Sequence, residues 1–164
     1  MSDVFISYSR SDERFAKAMA TELRAVGLSV FLDVLSISPG TQWTPAIHEE
    51  IKRSPVVLFL ASANALASPT VNQELGMAMA SGARVVPVVW QLQPHELPPW
   101  IARYQAVVLT GKTPQQISHA INRLVNSLLS DKQSRQQNQS LEQGRTIFAL
   151  IGLGLLGWAL STDG

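Results

Sequence analysis

Residues Val4 to Asp33 read VFISYSRSDERFAKAMATELRAVGLSVFLD, and within them the hydrophobic period changes twice. Val4, Phe5 and Ile6 form a short β-branched and aromatic run that favours a strand. The polar loop Ser7-Tyr8-Ser9-Arg10-Ser11-Asp12 ends it. Phe15, Met19, Leu23 and Val26 then recur at three- and four-residue steps, which places them on one helix face. Gly27 stands where a helix takes a left-handed cap, and Leu28 to Leu32 returns to strand. Together these make one parallel βαβ unit.

The same alternation continues along the chain. Pro55 to Ala61 and Val85 to Trp90 are almost unbroken apolar runs, and Ala106 to Leu109 is a shorter one. Such runs suit strands covered on both faces by helices. Thr44 to Arg53 and Pro69 to Ser81 read as helices, and Thr113 to Leu129 as another, with Ile117, Ile121, Leu124 and Leu128 on one stripe. The start of that last helix is well marked: Thr113 caps, Pro114 suits the first turn and Gln116 completes a capping box. The expected fold is therefore α/β, a flavodoxin-like, doubly wound, five-stranded parallel sheet in the order 2-1-3-4-5, with an apolar C-terminal helix.

In open sheets of this kind, ligands bind beyond the carboxyl ends of the strands, where the strand order reverses. That rule selects Ser7 to Asp12 after the first strand and Ser62 to Ser68 after the third. The helix leaving the second loop carries Glu74, which stands alone among Val71, Leu75, Met77, Ala78 and Met79. One reading is a surface position favoured by the positive end of a helix dipole; the other is a functional carboxylate.

Composition narrows the classes. The chain has 164 residues, enough for one domain with a proper core. Its charged fraction of 15% is low and its hydrophobic fraction of 46% ordinary, so apolar residues are concentrated somewhere. A formal charge of +1 supplies no broad basic field, and nucleic acid is not an expected partner. The absence of cysteine excludes disulfides, thiolate metal sites and a thiol nucleophile. The first strand begins at once, and no signal peptide is expected.

Several motif-like strings carry no chemistry. Gly111-Lys112-Thr113 has the end of a phosphate-binding loop without its first glycine, since Ala106 stands there. Gly152, Gly154 and Gly157 fit a dinucleotide fingerprint but are followed by too little chain for the helix and strand it requires. His48, His95 and His119 are widely separated, so no metal is expected. Glu49 and Glu50 are adjacent, point in different directions on a helix and read as a solvated face.

FISYSRSD, GLSVFLD, SPGTQW, VVLFLAS, NQELGMA and RVVPVV follow one another at about the usual spacings of the Toll/interleukin-1 receptor (TIR) domain family, and residues 1–129 resemble such a domain. The resemblance is to the microbial NAD-cleaving type. It implies a catalytic glutamate at Glu74, with NAD as substrate and no cofactor. The chemistry suits a carboxylate, because breaking the nicotinamide-ribose bond places positive charge on the anomeric carbon and a fixed anion stabilises that transition state. It also implies substrate contacts from Tyr8, Ser9 and Arg10 in the first loop, with Arg10 pairing the pyrophosphate. Asp33 to Trp43 matches the BB loop, which in the family packs on a neighbouring domain and completes its site. Asp33, Gly40 and Trp43 are the contributors implied there, with a core anchor as the other role for Trp43. The family usually has Trp where this chain has Thr70, which bears on the contact to nicotinamide. TIR-to-TIR self-association, a role in defence signalling and, as the alternative to catalysis, a signalling adaptor all follow from the same resemblance.

After residue 129 the chain changes character. Residues 130–144 are polar and Gln-rich and read as a linker or a frayed helix extension. Residues 145–161 contain the apolar concentration, with Arg145 and Trp158 as interface anchors and Lys132 and Arg135 on the domain side. A single-pass membrane tail below a cytoplasmic domain is the expectation, and a soluble oligomerisation helix the alternative.

Overall fold

A computed structural model describes residues 2–32 and 45–161, with side chains for all of these except 45–46 and 143–161. The chain divides into two compact units, Met1–Val125 and Asn126–Gly164.

The first unit is the expected sheet. β1 (Val4–Ser7), β2 (Val30–Leu32), β3 (Val56–Ala61), β4 (Arg84–Val89) and β5 (Val107–Val108) pair in the order β2-β1-β3-β4-β5. Each pairing is parallel. Val4 lies opposite both Val30 and Val56, and Ser7 opposite Phe59. The strands are linked by α1 (Glu13–Ala25), α2 (Pro45–Arg53), α3 (Ala63–Ala67), α4 (Pro69–Ala80) and α5 (Pro99–Ala102), and α6 (Pro114–Ser161) follows β5.

Both faces of the sheet are buried, as near-continuous apolar strands require. Phe5, Val57, Phe59, Val85 and Val89 form one cluster with Ile47 and Ile51 of α2, Val71, Leu75 and Ala78 of α4, and Ile101 of α5. Alternation sends Val4, Ile6, Leu58, Leu60, Val86 and Val88 to the other face. There Phe15 of α1 stacks on Trp90, one residue past β4, with ring centroids 4.5 Å apart. Ala16, Met19, Ala20 and Leu23 supply the buried stripe of α1. Val26, expected on that stripe, is 43% exposed. It is the C-cap, and the helix has already turned off: Gly27 has φ 87°, the Gly27 N–H donates to Arg24 O at 3.0 Å and Leu28 N–H to Leu23 O at 3.1 Å. That left-handed glycine cap is the one expected from sequence.

The box at the start of α6 also forms. The Thr113 N–H donates to Gln116 Oε1 at 3.0 Å and the Gln116 N–H to Thr113 Oγ1 at 3.3 Å. Gly111 (φ 71°) turns the chain into it, so Gly111-Lys112-Thr113 is a strand-to-helix turn. Glu49 is on a solvated face, 3.5 Å from Arg53. Glu50 is not. It is half-buried and accepts from the Ser2 N–H at 2.7 Å, which ties the start of the chain to α2.

In the second unit, residues 126–161 are helical and continue α6, including the polar stretch 130–144. Among the described residues no helix is long and apolar enough to cross a membrane. The expected single-pass anchor at 145–161, and the membrane localisation that depended on it, are corrected accordingly. The physical reason lies in length, since the uncharged stretch from Thr146 to Leu160 comes to about 23 Å as a helix, against a hydrocarbon core of ~30 Å.

Phe59 is fully buried at the centre of the sheet. Phe59→Ala is expected to lower stability by about 3–5 kcal/mol, read as a shift of the urea midpoint at unchanged slope.

Candidate functional site

The site is built where the apolar strands stop. β1 ends with Ser7, which alternation places on the same face as Phe5, the face that α4 covers. α4 begins at Pro69 behind the capping residue Ser68, whose hydroxyl accepts from the Val71 N–H at 3.4 Å. Proline at the first helical position and serine before it fix where this helix starts. Glu74 is therefore one turn into α4, and it is only 2% exposed. The Ser7 hydroxyl donates to Glu74 Oε2. The surface reading of Glu74 is excluded by that burial: a carboxylate out of water has to be stabilised by hydrogen bonds or charge, and Ser7 provides one such bond.

A second carboxylate is buried in the first loop. Asp12, at the end of the first loop and 2% exposed, accepts from the Ser62 hydroxyl at 2.5 Å. Ser62 in turn accepts from the Ala65 N–H at 3.0 Å, capping α3. The loops after β1 and β3 are thus tied through Asp12 and Ser62. Burial pushes the Asp12 carboxyl above the ordinary aspartate range, against hydrogen bonds from Ser62 and the Ser9 backbone.

The residues named from sequence are distributed unevenly over this crevice. Tyr8 and Ser9 are half-buried directly after Ser7, and Ser9 Oγ is 3.0 Å from Ser11 Oγ. Arg10 is exposed. Thr70 is half-buried in the first turn of α4 and lies one turn before Glu74 on the same side of the helix. Asp33, Gly40 and Trp43 lie outside the described residues. Ser7, Asp12 and Ser62 were within the loops that the crevice rule selected but were not singled out. Their signal was faint, a serine at each strand's carboxyl end with a carboxylate elsewhere to receive it. Among the described residues no group of His, Asp and Glu is placed to hold a metal ion.

With this geometry in view, the chain's relatives can be compared. Residues 4–125 match the family model described as TIR domain, and the chain belongs to that family. Among curated proteins it is 27% identical over 97 residues to a Brachypodium distachyon protein described as "Probable 2' cyclic ADP-D-ribose synthase BdTIR". That match covers 58% of this chain and 43% of the plant protein. It is also 32% identical over 78 residues, 47% of its length, to "Uncharacterized protein y4cD" of Sinorhizobium fredii, of which it spans 12%. The chain thus spans less than half the length of either curated relative. Among solved structures, the TIR domain of the Toll-related receptor TRR-2 of Hydra magnipapillata aligns with a TM-score of 0.64 at 15% identity, covering 78% of this chain and 98% of that one. The TIR domains of the activated Roq1 resistosome, which directly recognises the pathogen effector XopQ, align at 0.61 and 18% identity, covering 78% and 99%. At these identities the structures establish the shared fold.

The raised Asp12 ionisation predicts a pH dependence of stability. Because its folded value lies above its unfolded one, its favourable contribution is present below the ordinary aspartate range and is lost as pH rises through the raised value. The stability of wild type relative to Asp12→Asn should therefore fall in urea titrations as pH rises above the ordinary aspartate value of 3.8. A flat or rising difference would contradict the assignment.

Proposed function

We propose that this chain is an NAD glycohydrolase that cleaves the nicotinamide-ribose bond and releases nicotinamide with ADP-ribose or a cyclic isomer. The observation that carries this reading is the buried Glu74 carboxylate, held by Ser7 at the carboxyl end of β1. The similarity to a plant protein described as a cyclic ADP-ribose synthase supports it.

The proposed chemistry needs one anion. As the glycosidic carbon-nitrogen bond lengthens, its electron pair leaves with nicotinamide and the ribose acquires oxocarbenium character. A carboxylate fixed beside the anomeric carbon stabilises that charge more than the ground state. Water then adds and loses a proton to solvent to give ADP-ribose, or a group of the same nucleotide adds and loses its proton to close a ring. The nicotinamide ring of NAD is already cationic and leaves as the neutral base, so no general acid is required. Tyr8 and Ser9 line the first loop, and exposed Arg10 is the side chain suited to pairing the pyrophosphate. Asp33, Gly40 and Trp43 are assigned to completing the site across a TIR-to-TIR contact.

Burial also shapes regulation. At 2% exposure Glu74 meets a substrate only after the residues over it move. A protein that is silent until its domains assemble, as a defence effector would be, fits that requirement. NAD is a substrate here, and the reaction needs no cofactor. The second reading, a signalling adaptor that acts only through TIR contacts, is favoured by Thr70, which offers no aromatic face to nicotinamide.

Glu74→Gln is expected to reduce NAD cleavage by about 10² to 10³ or more, while folding and self-association remain. Turnover should be followed by nicotinamide release at high protein concentration or on an artificial scaffold. Equal turnover by wild type and variant would remove Glu74 from the mechanism. Silence of both when clustered would favour the adaptor.

A further inference from the structure

We propose that Ser7 is the positioning residue of this site, its hydroxyl holding the Glu74 carboxylate in the orientation in which it meets the ribose. This rests on the reading of Glu74 as the carboxylate that acts on NAD. Ser7 is the last residue of β1 and is fully buried, and its backbone is set by the parallel ladder that places it opposite Phe59. Glu74 comes from α4, 67 residues further along. The pair therefore joins the end of an interior strand to the helix that carries the carboxylate.

The division of labour follows from side-chain freedom. Glutamate has three rotatable bonds before its oxygens, whereas serine has one before its hydroxyl and here that bond starts from a fixed strand. One hydrogen bond from the stiff partner removes most of the freedom of the loose one. Packing does not account for the pair. Two apolar groups of similar shape would fill the same space at little or no cost, whereas a buried hydroxyl and a buried carboxylate are stable only while hydrogen-bonded. The arrangement is a polar device placed where the crevice opens, at the expense of an easier core.

Steady-state NAD cleavage by the clustered full-length protein tests this. Ser7→Ala should lower kcat roughly tenfold to a hundredfold, with KM within about twofold of wild type. Ser7→Thr, which keeps the hydroxyl, should recover most of that loss. In a Glu74→Gln background, where residual nicotinamide is counted over long incubations, Ser7→Ala should cost nothing further, because Ser7 acts through the carboxylate. If the alanine variant does not fold, Ser7→Cys replaces it, being close in shape with only a weak donor, and the same loss is expected. Unchanged or faster turnover in Ser7→Ala overturns the proposal while the reading of Glu74 stands, and so does an equal loss with and without Glu74. Failure of clustered wild type to release nicotinamide overturns both.

Discussion

Everything in the first unit depends on β3 being covered from every side. All six residues of Val56–Ala61 are buried, with β1 and β4 hydrogen-bonded along its two edges. Such a strand leaves no room for an unpaired polar group, so its backbone must be satisfied by parallel neighbours and its side chains must be apolar on both faces. Parallel neighbours require crossovers, and the crossovers bring the helices that cover the sheet. The strand order, the helical layers and the position of the crevice are consequences of that one constraint.

The same constraint decides where chemistry is possible. At the carboxyl ends of the strands polar side chains enter at Ser7, after Phe5 and Ile6, and at Ser62, after Ala61. Each of these serines gives its hydroxyl to a carboxylate from another element, Ser7 to Glu74 of α4 and Ser62 to Asp12 of the first loop. The two pairs differ in what they tie. Ser62 links the loops after β1 and β3 and caps α3, which makes it a structural joint. Ser7 links the end of a strand to a buried carboxylate on the helix that leaves the crevice. That contrast is why the proposed function rests on Glu74 and not on Asp12.

Legibility from sequence varied with the range of the interaction involved. The strand runs, the cap at Gly27 and the box at Thr113-Gln116 were readable because each is decided within a few residues. α3 and α5 were not foreseen, since helices of five and four residues are too short to show a period. Val26 was misplaced because helix periodicity continues in sequence past the point where the cap ends the helix. The membrane tail was over-read from the apolar character of 145–161, although among the described residues no helix has the length and apolarity to span.

The sequence by itself determined the parallel α/β fold, the order of its strands and the loops that edge the crevice. The strands and helices follow from local periods and from the need of buried parallel strands for crossovers on both faces, and the order is the flavodoxin-like one among those such a sheet can take. Only the tertiary structure decided that Glu74 is buried and not a surface charge, and that Ser7 and Asp12 belong to hydroxyl-carboxylate pairs. The reason is distance along the chain. Ser7 and Glu74 are 67 residues apart, Asp12 and Ser62 are 50 apart, and no local pattern records a partner that the fold alone brings within a hydrogen bond.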